Sequence, residues 1–206
     1  MKREEKNQQM RRRIMDGALA EFSRQGYGAS SINTICASQE LSKGIVYHYF
    51  KTKDDLYLAC VEECFDRLTD YLRTQSQAEQ GSTGERLERY FTARLVFFRE
   101  HPVYQRMFCE VVMTPPAHLK AELRQRTQPF DALNLQILEQ LLAPVSLRPD
   151  IERAEVIETF RQFQDFINAR AAGSGQSEFE AHEAMCRQAL HILLYGIIAR
   201  EAEHQG

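Results

Sequence analysis

The sequence predicts an all-α protein: an N-terminal three-helix head of residues 1–55 on a larger helical body of residues 56–206. Glycine and proline, which interrupt helices, number only 10 and 6 in 206 residues. No segment alternates apolar and polar side chains for long enough to indicate a strand. Apolar residues recur instead at three- and four-residue spacings, as in amphipathic helices.

The first helix is predicted around an inward face of Ile14, Ala18, Leu19 and Phe22, and Gly26 can end it as a C-cap. A short second helix follows.

Either Ser30 or Ser31 can cap this second helix, whose apolar positions are Ile32, Ile35 and Cys36. Leu41 and Ser42 interrupt the pattern before the third helix.

The third helix is predicted over Lys43 to Phe50, with Val46 and Phe50 turned inward. Asp54 and Asp55 open a longer fourth helix, because acidic side chains are favourable at a helix N-terminus. Its inward stripe is Leu58, Val61, Phe65, Leu68 and Leu72.

The body begins after a polar connection over residues 75–84. Helical periodicity then resumes and is interrupted at Pro102 and at Pro115. The helix after that is expected to be kinked or locally broken at Pro129. Two long helices over roughly 151–172 and 177–203 complete the predicted body.

Length and composition exclude several classes of protein. The chain is 43% hydrophobic and 27% charged, which is typical of a globular protein of one or two domains. There is no run of 18 apolar residues and no apolar stretch of a secretory signal. Five cysteines, an odd number, argue against a disulfide framework. We therefore expect a cytoplasmic protein that does not bind membranes.

The charge is distributed unevenly along the chain. Residues 1–53 carry ten Lys or Arg and five Asp or Glu, a net charge of +5, whereas the whole chain carries −3. A basic module attached to a larger acidic one suggests a head that binds a polyanion. Ordinary fluctuation of charge along a sequence is the alternative.

The short second and third helices, joined by a tight turn on a basic background, are the elements of a helix-turn-helix. On the third helix, Tyr47, His48 and Lys51 do not occupy the inward positions, which are Val46 and Phe50. Their rings and charge can reach phosphates or base edges. The alternative is that Tyr47, His48 and Tyr49 form an aromatic patch of the core.

Two segments of the head resemble the DNA-binding domain of the TetR (tetracycline-repressor-like) family. Residues 26–36 read GYGASSINTIC, and residues 41–56 read LSKGIVYHYFKTKDDL. The resemblance covers the first third of the chain, and beyond it only the layout of helices is similar. Cys36 stands where the family usually has alanine, and His48-Tyr49 reverses the order often found there.

The resemblance implies which residues meet DNA. Ser31 is expected to hold a phosphate from the second helix, and Lys53 to touch the backbone from the fourth. The positions of the recognition helix are Lys43, Gly44, Tyr47, His48 and Tyr49.

The last two helices predict a homodimer. Residues 190–198 are apolar on nearly every face of a helix, so this segment has to be buried on two sides. A second copy can cover one side, and a fully internal last helix is the alternative. The expected dimer contacts are Phe160, Ile167, Leu190, Leu194, Ile197 and Ile198.

The middle of the chain is rich in aromatic residues and methionine, which suit an adaptable apolar cavity and equally suit a packed core. The resemblance favours a cavity that binds a small-molecule effector. Its expected lining is Phe91, Arg94, Phe98, Tyr104, Met107, Phe108, Asn134 and Phe163, with Arg94 and Asn134 as the polar groups.

Two pairs of residues are spaced one helical turn apart: Cys60 with Cys64, and His182 with Cys186. Buried structural thiols, a redox sensor and a metal site are the three interpretations. No further ligands lie near either pair in the sequence, and we expect no metal and no cofactor.

Together these features predict a DNA-binding transcriptional regulator, a repressor that a small-molecule effector releases from its operator. Its expected partners are double-stranded operator DNA, a second copy of itself and the effector. The alternatives are a helical small-molecule-binding protein and a regulator with a cysteine-based redox sensor. We do not expect the protein to be an enzyme, because the sequence shows no nucleophile-base arrangement and no phosphate-binding glycine motif.

Overall fold

The computed structural model describes residues 2–76, 81–170 and 177–197, and its side chains are described for 3–76, 81–162 and 179–192. In these residues the chain forms nine α-helices and a short 3₁₀ helix, which confirms the predicted all-α class. The helices are α1 (Lys2–Ala29), α2 (Ile32–Ser38), α3 (Lys43–Tyr49), α4 (Lys53–Gln75), α5 (Thr83–Glu100), α6 (Pro102–Met113), α7 (Lys120–Leu142), α8 (Arg153–Arg170) and α9 (Ser177–Ile197), with the 3₁₀ helix at Ala117–Leu119.

The chain packs into two compact units. The first comprises Met1–Asp70 and Val96–Phe130, and the second comprises Tyr71–Leu95 and Asp131–Gly206. The predicted inward face of α1 is buried, and so is the predicted stripe of α4. The periodicity of apolar residues therefore identified the core faces of both helices.

Gly26 interrupts α1 where the sequence predicts its end. Its φ of 72° and ψ of 170° leave the helical region, and a further turn then runs to Ala29. This φ lies in the left-handed region, which glycine adopts without the steric cost of a Cβ. A Cβ there would also lie 3.0 Å from Oε1 of Glu110.

The helix α7 runs through Pro129 without ending, so the local break considered from the sequence does not occur. Proline lacks an N–H, and the carbonyl of Gln125 consequently loses its helical donor. Both residues are exposed, and water can take the place of that donor.

In the second unit α8 packs against α9. Apolar side chains of α5, α7 and α9 form much of its core, including Leu87, Phe91, Leu138 and Leu190. Four polar residues are buried with them: Arg94, Asn134, His182 and Glu183. Charged groups that are nearly free of solvent require partners inside the protein.

Candidate nucleic-acid interface and ligand cavity

Serine side chains cap both helices of the predicted helix-turn-helix. The Ser31 hydroxyl accepts the N–H of Thr34 at 3.1 Å at the start of α2. The Ser42 hydroxyl accepts the N–H of Ile45 at 3.3 Å at the start of α3. Each cap satisfies a backbone donor that the first helical turn leaves without a partner. Of the two serines considered from the sequence, Ser31 is the cap of α2.

The turn between α2 and α3 depends on Glu40. Its φ of 52° is left-handed, and the N–H of Leu41 donates to the carbonyl of Cys36 at 2.9 Å. A residue in the left-handed conformation, followed by a hydrogen bond that reaches back five residues along the chain, is a common way to end a helix. Glycine or asparagine usually occupies such a position, so the residue type of Glu40 does not predict this conformation. The geometry ends α2 and directs the chain into α3.

The helix α3 is anchored on one side and open on the other. Val46 is completely buried and Phe50, which follows the helix, is 5% exposed, as the sequence predicts. Four of the five residues expected on the recognition helix are exposed, Tyr47 by 43%. These exposed residues are Lys43, Gly44, Tyr47 and His48.

The fifth, Tyr49, is half-buried, and its ring packs edge-on against that of His48 with 5.2 Å between centroids. Because Tyr47 and His48 are exposed, the three rings do not form a core patch.

Lys53 lies at the first position of α4, where its ammonium group is held by the end of the first helical segment. Its Nζ donates to the carbonyl of Ser30 at 2.9 Å and lies 4.3 Å from the ring centroid of Tyr27. An ammonium group has three donors. The contact with Ser30 uses one of them, so Lys53 is oriented beside the capped start of α2 with donor capacity left for a phosphate.

A carboxylate of α6 joins the end of α1 to α4. Glu110 accepts the backbone N–H of Tyr27 at 2.7 Å and the hydroxyl of Tyr57 at 3.0 Å. The change of backbone direction at Gly26 frees the N–H of Tyr27 for this contact. Burial raises the pKa of Glu110 above its ordinary value, although both hydrogen bonds act in the opposite direction.

The second unit contains a cavity of about 480 Å³, including the part that is open to solvent. Its lining is mostly apolar and comes from α5, α7, α8 and α9. The lining residues are Leu87, Tyr90, Phe91, Arg94, Asn134, Ile137, Leu138, Leu141, Phe160, Cys186 and Leu190.

A polar network adjoins this cavity. Arg94 forms an ion pair with Glu183 at 2.8 Å, and their side chains are only 4% and 1% exposed. Burial lowers the pKa of Arg94, but the charge of Glu183 and the interactions with Tyr90 and Cys186 together outweigh it, and the pKa lies above its ordinary value. Arg94 also hydrogen-bonds the hydroxyl of Tyr90, which in turn donates to Oδ1 of Asn134.

The structure brings three of the expected pocket residues together and places four others in the first unit. Phe91, Arg94 and Asn134 line the cavity. Four others are buried in the first unit, where Phe98 packs on Phe108 with centroids 5.0 Å apart. Those four are Phe98, Tyr104, Met107 and Phe108. The side chain of Phe163 lies outside the described residues.

The residues expected at the dimer interface are only partly described. Leu190 is 4% exposed and lines the cavity with Phe160, so it faces the interior of its own protomer. The side chains of Ile167, Leu194 and Ile197, and the whole of Ile198, lie outside the described residues.

Among the side chains of α9 that the structure describes, the large apolar ones that are exposed are Met185, at 39%, and Ile192, at 62%. Their seven-residue spacing places both on one face, a signal present in the sequence that the search for continuous apolar stretches missed.

Burial disfavours redox and metal chemistry at the three cysteines of the two pairs picked out in the sequence. Cys60 and Cys64 are completely buried, and burial raises the pKa of both thiols. Burial also raises the pKa of Cys186 to about 12. A neutral thiol is a poor nucleophile and a poor metal ligand. Within the described part of the chain, no three His, Cys, Asp or Glu side chains are grouped to hold a metal ion.

The fold and this surface together define a helix-turn-helix protein with a helical body. Residues 14–60 match the family model described as bacterial regulatory proteins, tetR family. The N-terminal part of the chain therefore matches the DNA-binding domain of this family, which confirms the resemblance seen in the sequence. None of the helices in the described ranges is long and apolar enough to cross a membrane.

Two curated relatives are similar over the N-terminal part of the chain. Both are biofilm operon icaADBC HTH-type negative transcriptional regulators, IcaR. The protein of Staphylococcus epidermidis is 32% identical over 63 residues, which are 31% of this chain and 34% of that protein. The protein of Staphylococcus aureus is 27% identical over 106 residues, 52% of this chain and 55% of its own length. The chain thus spans about half or less of these relatives.

Among solved structures, the chain is similar to the transcriptional regulator FadR of Bacillus subtilis in complex with stearoyl-CoA. The TM-score is 0.66 at 14% identity, over 90% of this chain and 98% of that one. At this identity the likeness shows the fold alone, and it extends through the body as well as the head.

Proposed function

We propose that the protein is a DNA-binding transcriptional regulator that acts as a homodimeric repressor. The exposed face of α3 carries this proposal. Val46 and Phe50 hold the helix on the core, and Lys43, Gly44, Tyr47 and His48 are left to solvent. A helix supported from one side, with basic and aromatic groups on the other, suits the major groove of DNA.

The residues around α3 supply the contacts that position such a helix. Lys53 and the capped start of α2 at Ser31 lie beside it, and both can meet phosphate oxygens. The match of residues 14–60 to the tetR family model and the names of the IcaR relatives, which are negative regulators, support repression of transcription.

The geometry of DNA and the surface of α9 support a homodimer. One small head binds weakly, whereas two heads on successive half-sites combine their affinities. Met185 and Ile192 offer an exposed apolar face on α9 that a second copy can cover.

The cavity in the second unit supports control by a small molecule. FadR of Bacillus subtilis, which shares the fold, was crystallised with stearoyl-CoA. We propose that an effector in the cavity favours a dimer conformation whose heads no longer match the half-site spacing. The effector then lowers DNA affinity because it binds that conformation more tightly.

A mobility-shift titration tests the proposal, with a duplex that carries the DNA upstream of the protein's own gene. The wild-type protein should shift this duplex at a lower concentration than a scrambled duplex. The double variant Lys43→Ala, His48→Ala should lose this preference. Lys120→Ala, which removes an exposed lysine at the start of α7, is the matched control and should bind like wild type. Equal affinity for both duplexes would contradict the function on this DNA.

A further inference from the structure

The polar network at the cavity fixes the direction of its hydrogen bonds. A guanidinium group only donates, so the hydroxyl oxygen of Tyr90 accepts from Arg94. The proton of Tyr90 is consequently directed at Oδ1 of Asn134. With its oxygen used in this way, Asn134 turns its amide N–H groups away from Tyr90.

The Nδ2 atom of Asn134 is a buried donor. The residue is 7% exposed and lines the cavity, and Nδ2 has no hydrogen-bond partner among the described residues. A buried amide donor without an acceptor costs free energy that a ligand can recover. The chain of hydrogen bonds from Arg94 polarises the amide further and makes it a stronger donor.

The charges around the cavity are balanced. Arg94 is paired with Glu183 at 2.8 Å. Burial raises the pKa of Tyr90 and of Cys186 to about 12, so both are neutral at neutral pH. Among the described lining residues Arg94 is the only cation, and Glu183 already compensates it. An anionic ligand would therefore lose its hydration without gaining a cation.

We infer that the cavity takes an uncharged, largely apolar molecule with one carbonyl-type acceptor, and that Asn134 Nδ2 donates to this acceptor. The apolar lining supplies affinity for the hydrocarbon part, and the single amide donor orients the ligand. The inference rests on the proposed function only where it treats the cavity as the effector site.

Three eight-carbon probes separate the chemical classes: 2-octanone, octanoate and octylammonium. They share a hydrocarbon chain and differ in charge and in hydrogen-bonding capacity. In calorimetric titrations at pH 7.5, the wild-type protein should bind 2-octanone at least tenfold more tightly than either ion. Tighter binding of octanoate, or no binding of the ketone, would overturn the assignment.

Two variants test the donor itself. Asn134→Leu removes it, and the affinity for 2-octanone should fall about tenfold. Asn134→Asp keeps the shape and replaces the donor by an acceptor, so ketone affinity should fall and octylammonium affinity should rise. Gln136→Leu exchanges an exposed amide on the same helix and should bind the ketone like wild type. Unchanged ketone affinity in both Asn134 variants would also overturn the inference.

A mobility shift on the same samples separates this inference from the proposed function. Operator binding without a preference for the ketone refutes the ligand class alone. The predicted probe preference in a protein that binds no DNA refutes the regulatory function alone.

Discussion

Glu110 is the residue on which α1 and α4 converge within the first unit. It is half-buried, and its two carboxylate oxygens each accept one hydrogen bond, from Tyr27 and from Tyr57. These bonds favour the ionised form, but burial opposes it more strongly and the pKa of Glu110 is raised. The residue therefore links the stability of this unit to pH.

Glu110→Gln should change the pH dependence of stability. Because the folded-state pKa is raised, the folded protein binds the proton more tightly than the unfolded chain does. The stability of the wild type should fall relative to that of the variant as pH rises from the ordinary glutamate value through the raised one. Urea unfolding between pH 4 and pH 7 measures the difference.

Glu122→Gln provides the comparison, since Glu122 is an exposed carboxylate on α7. The difference in unfolding free energy between wild type and this control should change less with pH. A Glu110→Gln difference that stayed constant, or that grew in favour of the wild type with rising pH, would rule out the raised pKa.

Single residues of the ligand cavity were predictable only in part. Arg94 and Asn134 were expected as its polar groups and both line the cavity, although no pattern in the sequence distinguishes them from other polar residues of α5 and α7. Glu183 was missed, because its partner Arg94 lies on another helix far away in the sequence. The available signal was its position on the buried face of α9 between Phe179 and Cys186.

At the scale of the element, α9 has two apolar faces. The inner one, which includes Phe179, Cys186 and Leu190, is buried within the protomer. The outer one carries Met185 and Ile192, which are exposed by 39% and 62%. Exposed apolar residues in register on one helix are expected where another protein surface covers them.

Ile192→Glu should shift the protein from dimer to monomer, because it introduces a charge at the centre of the proposed contact. A loss of at least tenfold in dimer affinity is expected, together with weaker operator binding. Light scattering across a concentration series measures the change in mass. The sequence-based prediction that charged substitutions at Leu194 or Ile198 have the same effect can be checked in the same experiment.

The variant Ala184→Glu adds the same charge at another exposed position of α9, about 100° around the helix axis from Met185. It should remain dimeric. A wild-type protein that is monomeric at micromolar concentration would remove the basis for this interface.

The elements themselves were largely predictable, and the exceptions have physical causes. Apolar spacing located α1 to α4, and Pro102 coincides with the start of α6. The segment of α1 before the buried Ile14 is polar on nearly every face, and apolar spacing cannot locate such a helix. It therefore could not show that α1 begins at Lys2. Proline usually breaks a helix, but α7 continues through Pro129 because the carbonyl of Gln125, which loses its donor, is on an exposed residue.

At the scale of the whole molecule, charge is separated between the N-terminal quarter and the remainder. Residues 1–53 carry +5 although the chain carries −3. The acidic remainder of the chain disfavours non-specific contact with DNA, whereas the basic segment attracts the phosphate backbone of DNA. In the proposed regulator, this distribution directs DNA to the head.

Operator affinity should therefore fall steeply as salt rises. If each head neutralises two phosphates, counterion release gives roughly a hundredfold loss between 50 mM and 200 mM salt for a dimer. Fluorescence anisotropy with a labelled duplex measures this slope. An affinity that stayed flat over that range would show that the basic head is not the binding surface.

The central claim is that α3 reads DNA while the groups around it position the protein. Titration of operator and scrambled duplexes with four variants tests it most directly. Lys53→Ala and Tyr47→Phe should lower the affinity for both duplexes by similar factors, as expected for phosphate contacts. Lys43→Ala and His48→Ala should cost about 1–3 kcal/mol on the operator and much less on scrambled DNA. If all four variants melt like the wild type and keep full operator affinity, α3 is not the recognition helix.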